Sequence, residues 1–343
     1  MISLQTTLLA TVQSTLRGAT ALSVAIAACA LVGAPHLARA QGADAWPTRT
    51  VRLIVPYAAG GYADTRARLI AEQLGKALGQ PVIVDNRGGA GGVTGTDAIA
   101  KATDGHTFGF GSPGPLVTNP MLMKKMPYDA KTALKPIILI EEAPLFLTTA
   151  LNQPFKNVQE LVAFAKAKPG ELTFGSSGVG GAHHLSGELL AYQTNTQMTH
   201  VPYKGGSLAA ADLMGGHLAM MFEMGYSALP SIKAKKINAL AVSSKKRLAV
   251  LPDVPTLDEA GIKGFESYNW LGMIAPASTP PALIAKLNQA VNNALKNDLA
   301  LREMIESSGG LIAGGTPEAY GKFLDAERAK WEPVIKAAKI SLD

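Results

Sequence analysis

Glycine-rich loops that follow short apolar runs are the clearest candidates for chemistry in this chain. Gly60 and Gly61 come shortly after the apolar run 51–55, and a helical pattern starts directly behind them. Glycine allows backbone N–H groups to turn toward a single point. A helix N-terminus adds further unpaired N–H groups and the positive end of its dipole. The pattern therefore predicts a place for an anion in front of this helix.

The same arrangement recurs three more times along the chain. Glycine-bearing loops at 86–92, 175–181 and 204–207 each follow an apolar run and precede a segment with helical periodicity. Strands that alternate with helices favour an α/β fold with a parallel sheet covered on both faces. Ligands collect at the carboxyl ends of such strands. Four glycine loops therefore indicate one cleft for an acidic small molecule.

Local sequence signals predict the helix ends and the strands around these loops. Asp64 is predicted as the N-cap of the first helix and Gly79 as the residue that ends it. Two apolar runs, 137–140 and 145–150, are separated by a short polar stretch that contains a proline. We interpret this stretch as a crossover between two domains.

The first forty residues are predicted to be an export signal. Arg17 precedes the small, apolar run 19–34, and residues 38–40 have the A-x-A form of a signal-peptidase site. A transmembrane anchor is the alternative, but the run is short and no second span of about 20 apolar residues follows. Cys29 also fits a lipoprotein cleavage site, which would leave the protein attached to a membrane by a lipid.

Composition excludes several classes of function. Cys29 is the only cysteine, so removal of residues 1–40 leaves no thiol for disulfides, catalysis or metal ligation. The same cleavage removes two arginines and lowers the formal net charge from +6 to +4. Lysine and arginine are scattered and not interleaved with aromatics, which argues against a nucleic-acid partner. The charge supports only a modest preference for acidic ligands. No metal and no cofactor are expected.

Catalytic motifs are weak. The stretch 109–114 fits G-x-G-x-x-G, but its prolines spoil a helix start and no acidic residue is placed to hold a ribose. His183 and His184 are adjacent, so on a helix they point about 100° apart and cannot face one metal. Both could instead bind a ligand or pack the loop. A secreted hydrolase or isomerase would need a reactive pair, for which the candidates are Asp64, Glu223 and His183.

Several motifs resemble the Bug family, the solute-binding proteins of tripartite tricarboxylate transporters. The N-terminal part reads WP at 46–47, VRLIVPY at 51–57 and NRGGAGG at 86–92. The later motifs are GSSG at 175–178, HLSGE at 184–188, HVPYKG at 200–205 and LPDVPT at 251–256. The resemblance covers nearly the whole chain after the signal segment.

This resemblance implies a type II periplasmic binding protein, in which two α/β domains joined by crossing strands close on a carboxylate-bearing ligand. Residues 41–142 with 264–343 would form domain 1, and residues 143–263 would form domain 2. The expected ligand-binding residues lie in the glycine loops and at the ends of the strands. They are Tyr57, Ala59, Gly60, Gly61, Tyr62, Ala63, Asp64, Ser112, Ser176, Ser177, Gly178, His183, Tyr203, Lys204, Gly205, Gly206 and Glu223.

Three residues depart from the family pattern. Tyr62 and Arg66 stand where relatives have small and aliphatic residues, and Glu223 stands where they commonly have Asp. Tyr62 could place an aromatic face at the cleft mouth. Arg66 could add positive charge near the anion, although an exposed position is the ordinary expectation for a surface arginine.

The resemblance also implies the partners. The ligand would be a di- or tricarboxylate, an acidic amino acid or an aromatic acid, and the receptor would deliver it to membrane permease subunits. We expect a periplasmic monomer in a Gram-negative bacterium, without catalysis. A ligand-sensing receptor for a signalling system and a secreted enzyme for small organic acids are the alternatives.

Overall fold

The computed structural model describes residues 46–342, so the predicted signal peptide and Cys29 lie outside the described residues. From Pro47 onward the chain forms one compact unit. Its strands are β1 Val51–Val55, β2 Val82–Asn86, β3 Thr107–Gly111, β4 Leu134–Thr149, β5 Thr173–Ser176, β6 Thr199–Pro202, β7 Met220–Met224, β8 Asn238–Val242, β9 Tyr268–Pro276 and β10 Leu311–Gly314.

The helices alternate with these strands over most of the chain. They are α1 Tyr62–Leu78, α2 Val93–Ala100, α3 Asn119–Leu122, α4 Val158–Ala167, α5 Ala182–Thr194, α6 Gly206–Met214, α7 Gly225–Lys233, α8 Pro281–Asn297, α9 Leu299–Ser307 and α10 Pro317–Ala338. None of these ten helices combines the length and the apolar character needed to cross a membrane.

The strands pair in two regions. In the first sheet region the order is β2-β1-β3-β9-β4, with β10 also paired to β4. In the second sheet region the order is β4-β7-β5-β6, with β8 also paired to β4. Strands β1, β2 and β3 pair in parallel in the first region, and β5, β6 and β7 do so in the second, as the alternation with helices predicts. The α/β fold class is confirmed, and antiparallel pairs occur where β4 and β9 enter the sheet.

Strand β4 belongs to both regions. Its first part pairs with β9, and its last residues, from Leu145 on, pair with β7 and β8. The two apolar runs expected to flank a crossover are therefore parts of one continuous strand. Ser243 holds β4 at the point where the strand passes from the first region to the second. Its hydroxyl accepts a hydrogen bond from Leu145 N at 2.8 Å and donates one to the Ser267 carbonyl.

Helix α1 departs from prediction at its start. The N-cap is Gly61, and Asp64 lies in the first turn, where its carboxylate accepts from Gly60 N at 2.7 Å. The assignment of Asp64 as N-cap is therefore wrong by one turn, although the carboxylate still satisfies a free N–H group at the helix start. The predicted end is confirmed, because Gly79 has φ 70° and caps the helix in the left-handed conformation.

Helix α10 is fixed to the first sheet region by a buried carboxylate. Glu327 is 4% exposed and accepts from the indole nitrogens of Trp270 on β9 and Trp331 on α10, at 3.0 and 3.1 Å. Lys330 supplies the opposite charge. Because both indole donors would otherwise be buried without a partner, this carboxylate sets the position of α10 on the sheet.

Candidate functional site

A cavity of about 500 Å³ lies between the loops of the two sheet regions. We call it the cleft cavity. Tyr57, at the end of β1, lines it together with Ser177 and Gly178 from the loop after β5. These three are predicted ligand-binding residues. The remaining lining residues are mostly small or apolar, and none carries a charge: Ala90, Gly91, Pro113, Gly114, Asn119, Met123, Val179, Gly180, Gly181, Ala182, Asn269 and Leu342.

The start of α5 faces the cleft cavity. Gly181 is the N-cap and Ala182 the first helical residue, and both line the cavity. No side chain caps this end and no acidic residue lies in its first turn. The unpaired N–H groups and the positive end of the dipole of this thirteen-residue helix therefore remain available to an anion.

The serines of the β5 loop have different environments. Ser176 is fully buried, and its hydroxyl lies 2.6 Å from His200 Nε2 and bonds the backbone of Gly178. Ser177 is exposed toward the cavity, and its hydroxyl lies 2.8 Å from Nδ1 of His183. Ser176 therefore shapes the loop, whereas Ser177 can contact a ligand.

His183 and Ser177 do not form a catalytic triad. His183 is 8% exposed, and burial lowers the pKa of its imidazole to about 4. Such an imidazole is a weak base at neutral pH. Its Nε2 has no hydrogen-bond partner among the described residues, so no carboxylate orients the ring. The pair can position a hydroxyl for a ligand but lacks the groups that activate a nucleophile.

Tyr57 lies on the opposite wall of the cleft cavity, whereas Asp64 holds the loop 59–61 outside it. The Tyr57 hydroxyl lies 2.6 Å from the hydroxyl of Ser112, which is buried, so Ser112 orients Tyr57. Ala59, Gly60 and Gly61 are exposed and do not line the cleft cavity. Burial alone would raise the pKa of Asp64. The hydrogen bonds from Arg68 and from Gly60 N outweigh that effect, so this pKa stays below its ordinary value.

Arg66 is neither exposed nor free to meet an anion, contrary to both sequence interpretations. It is 5% exposed, and its Nε donates to Glu141 Oε2 on β4 at 3.0 Å. Its Nη2 donates to the hydroxyl of Ser308 at 2.9 Å. Burial raises the pKa of Glu141, and the Arg66 guanidinium opposes that rise. The positive charge of Arg66 is therefore used inside the protein.

Arg66 also supports an aromatic contact between the two sheet regions. Its guanidinium carbon lies 4.3 Å from the ring centre of Tyr62. The Tyr62 ring stacks on Tyr226 of α7, with the ring centres 5.7 Å apart and the planes 17° from parallel. Tyr62 follows β1, whereas Tyr226 follows β7 of the second sheet region. Ala63, between Tyr62 and Asp64, is buried.

The remaining predicted residues belong to the second sheet region. Tyr203 donates to Asp212 of α6 at 2.7 Å, and Lys204 is exposed. Gly205 has φ 136°, which permits the turn into α6, and Gly206 starts that helix close to the His183 ring. Glu223 is 2% exposed, its carboxylate accepts from Thr148 at 2.9 Å, and burial raises its pKa. None of these residues lines the cleft cavity.

The sequence interpretation missed several lining residues. Ala90 and Gly91 lie in the glycine loop after β2, which was recognised as an anion loop but contributed no candidate residue. Asn119 donates to the Gly91 carbonyl at 3.3 Å. Asn269 and Leu342 reach the cavity from distant parts of the chain, and no local pattern signals them. Among residues 46–342 no group of three or more His, Cys, Asp or Glu side chains could hold a metal ion.

Replacement of Arg66 by methionine should destabilise the protein. It would leave the fully buried Glu141 without its counter-charge, so we expect a loss of about 3–5 kcal/mol in the free energy of unfolding at pH 8. The loss should be smaller at pH 5, where the carboxyl can take up a proton, and in the double variant Arg66→Met, Glu141→Leu. Arg302→Met, which breaks a surface pair with Glu306, should cost less than about 1 kcal/mol. Equal costs in urea titrations of both arginine variants would contradict this prediction.

Acid should destabilise the protein through His183. Its pKa is about 4 in the folded protein and about 6.5 in the unfolded chain. The unfolded chain therefore binds the extra proton between these values, and stability falls as the pH is lowered from 6.5 toward 4. His183→Asn should reduce the slope of unfolding free energy against pH by up to about 1.4 kcal/mol per pH unit. Replacement of the exposed His217 by asparagine is the control. An unchanged slope in the His183 variant would show that this ring is not the titrating group.

Comparison with known proteins identifies the family of the chain. The model of the family described as "Tripartite tricarboxylate transporter family receptor" matches residues 66–340. A protein from the tcbD-tcbE intergenic region of Pseudomonas sp. (strain P51) is 37% identical over 312 residues, which are 90% of this chain and 92% of that protein. Protein BugT of Bordetella pertussis is 36% identical over 302 residues, covering 88% and 92% of the two chains.

Solved structures show the same fold. An R. palustris protein solved with adipate is 36% identical, with a TM-score of 0.76, and the match covers 86% of this chain and 99% of that one. MatC from Rhodopseudomonas palustris, solved with bound malate, is 32% identical, with a TM-score of 0.73 and coverage of 84% and 100%. Periplasmic binding protein BugD is 34% identical, with a TM-score of 0.72 and coverage of 86% and 99%.

These matches confirm the resemblance to the Bug proteins and the fold that it implied. They extend over nearly the whole of each relative and over most of the described residues. The chain belongs to the tripartite tricarboxylate transporter receptor family, whose members are solute-binding receptors and not enzymes.

Proposed function

We propose that this protein binds a small carboxylate in the cleft cavity and delivers it to the membrane subunits of a tripartite transporter. The observation that carries the proposal is the uncapped N-terminus of α5 at the wall of a cavity without charged side chains. A carboxylate there would be held by backbone N–H groups and hydroxyls, without a cationic partner.

A ligand with two acidic ends suits the cavity. One carboxylate would lie at Gly181 and Ala182, with the Ser177 hydroxyl beside it. The other end would meet Tyr57 and the glycine loop at Ala90 on the opposite wall. The two relatives solved with adipate and malate hold aliphatic dicarboxylates. We therefore favour a dicarboxylate over an aromatic acid, for which the small residues of the lining offer no stacking partner other than Tyr57.

The two sheet regions would act as domains that close on the ligand. Their proposed boundaries are residues 41–142 with 264–343, and residues 143–263. Strand β4 passes from one region to the other at Leu145, close to the proposed boundary between residues 142 and 143, which supports this division. The stack of Tyr62 on Tyr226 joins the two sheet regions in this structure, and opening of the domains would break it. Closure excludes water and strengthens the hydrogen bonds to a carboxylate.

The predicted signal segment and the periplasmic relatives support a periplasmic location. BugD is described as a periplasmic binding protein. Among the predicted ligand residues, we place Tyr57, Ser177 and Gly178 in contact with the ligand. Ser112, Ser176 and His183 would orient the side chains and the loop that contact the ligand. Asp64 would stabilise the start of α1.

A ligand screen tests the function. The mature protein, from Gln41 onward, should be stabilised against heat by adipate, malate or another dicarboxylate, and not by the uncharged diamide of the same chain length. A ligand at 100 times its dissociation constant adds about 2.7 kcal/mol of stability. Calorimetry should then give saturable binding without product formation. No stabilisation by any carboxylate, with protein unfolded and refolded to remove bound ligand, would contradict the proposal.

An acidic residue at the start of α5 should separate binding from stability. Ala182→Asp places a carboxylate where the ligand's carboxylate is expected, so the affinity should fall at least tenfold. The same charge favours the helix dipole, and stability should rise by about 0.3–1 kcal/mol. Leu299→Asp is the matched control, because Leu299 starts α9, is 80% exposed and lies away from the cleft cavity. Undiminished affinity in Ala182→Asp would place the anion elsewhere.

A further inference from the structure

A second cavity, of about 930 Å³, lies outside the cleft between the segment 116–131 and helix α10. We call it the methionine groove. Three methionines, Met121, Met123 and Met126, lie along one side, and Ile335 and Ile340 of the α10 segment lie along the other. All three methionines are partly exposed. Flexible, polarisable methionine side chains adapt to apolar partners and are enriched at protein interfaces.

The rim of the groove is positively charged. It carries five basic and two acidic side chains, namely Lys124, Lys131, Arg328, Lys336, Lys339, Asp129 and Glu332. Arg328 pairs with Asp325. Lys131, Lys336 and Lys339 are exposed and form no ion pair with any carboxylate in residues 46–342. An apolar floor with a cationic rim is complementary to an amphipathic segment that carries acidic residues.

The groove lies beside the cleft but does not obstruct it. Met123 lines both cavities. Leu342 lines the cleft cavity, and its backbone N–H donates to the Leu122 carbonyl at 3.0 Å. One wall of the groove is α10, which Glu327 ties to Trp270, next to the cleft residue Asn269. A partner in the groove would therefore contact α10 without entering the cleft cavity.

We propose that the methionine groove is the docking face for an acidic, amphipathic segment of the membrane partner. The proposal rests on the delivery function proposed above and specifies where the delivery complex forms. Apolar side chains of the partner would fill the floor between Met126 and Ile335. Its carboxylates would pair with Lys131 and Lys336, which would also increase the rate of association at low ionic strength.

Charge reversal at the rim tests this assignment. The double variant Lys131→Glu, Lys336→Glu is compared with Lys233→Glu, Lys322→Glu, which makes the same charge change at exposed lysines outside the groove. Purified proteins are tested for ligand affinity and melting temperature. Uptake of the radiolabelled ligand from the screen is measured in the source bacterium after deletion of the chromosomal copy. We expect the groove variant to keep its affinity and melting temperature and to lose at least tenfold in uptake, while the control retains uptake.

The results separate this proposal from the function on which it rests. Full uptake by the groove variant would overturn the proposed docking face and leave the proposed function standing. A wild-type protein that binds no carboxylate or supports no uptake would overturn the proposed function, and the docking face with it. A wild-type dimer in solution that the groove variant converts to monomer would assign the groove to a second copy of the chain. That result would also overturn the proposal.

Discussion

The pairing of β4 with β9 is the constraint on which the rest of the structure depends. Residues Leu134–Pro144 pair with Tyr268–Pro276, and β4 then continues without a break into the second sheet region. The loops of both regions are thereby brought to opposite walls of one cavity. Ser243 holds β4 at Leu145 and the chain before β9 at Ser267, so the proposed closure would bend the chain close to this point and leave each region intact.

In the proposed binding mode, a cavity without charged side chains accommodates an anion. The loops after β1, β2, β3 and β5 line the cavity and α5 begins there, so backbone N–H groups of these loops and of one helix start lie at its walls. A buried cation would need its own counter-charge whenever the cavity was empty. Backbone dipoles have no such requirement, so the empty receptor remains stable. The hydroxyls of Ser177 and Tyr57 add direction, and His183 and Ser112 hold them in place.

Local sequence patterns predicted most of the fold and only part of the site. Strand and helix periodicity, and Gly79 as a helix end, depend on neighbours within a few residues, and the structure agrees with them. Arg66 could not be placed in this way, because its partner Glu141 is 75 residues away. Asn269 and Leu342 reach the cleft cavity only through the tertiary fold. Asp64 was assigned to the N-cap because aspartate is typical there. In the structure Gly61 is the N-cap, and the Asp64 carboxylate accepts a hydrogen bond from Gly60 N.

The ion pair of Arg66 and Glu141 keeps a positive charge inside the protein and away from the cleft cavity. A buried pair of this kind contributes little net stability compared with apolar side chains of the same size, so its value must lie in the geometry that it imposes. Arg66 holds the Tyr62 ring from one side, and Tyr226 stacks on that ring. Because the charge of Arg66 is neutralised by Glu141, selection in the proposed site would depend on the length and direction of the hydrogen bonds at the two walls of the cleft cavity, and not on a free cation.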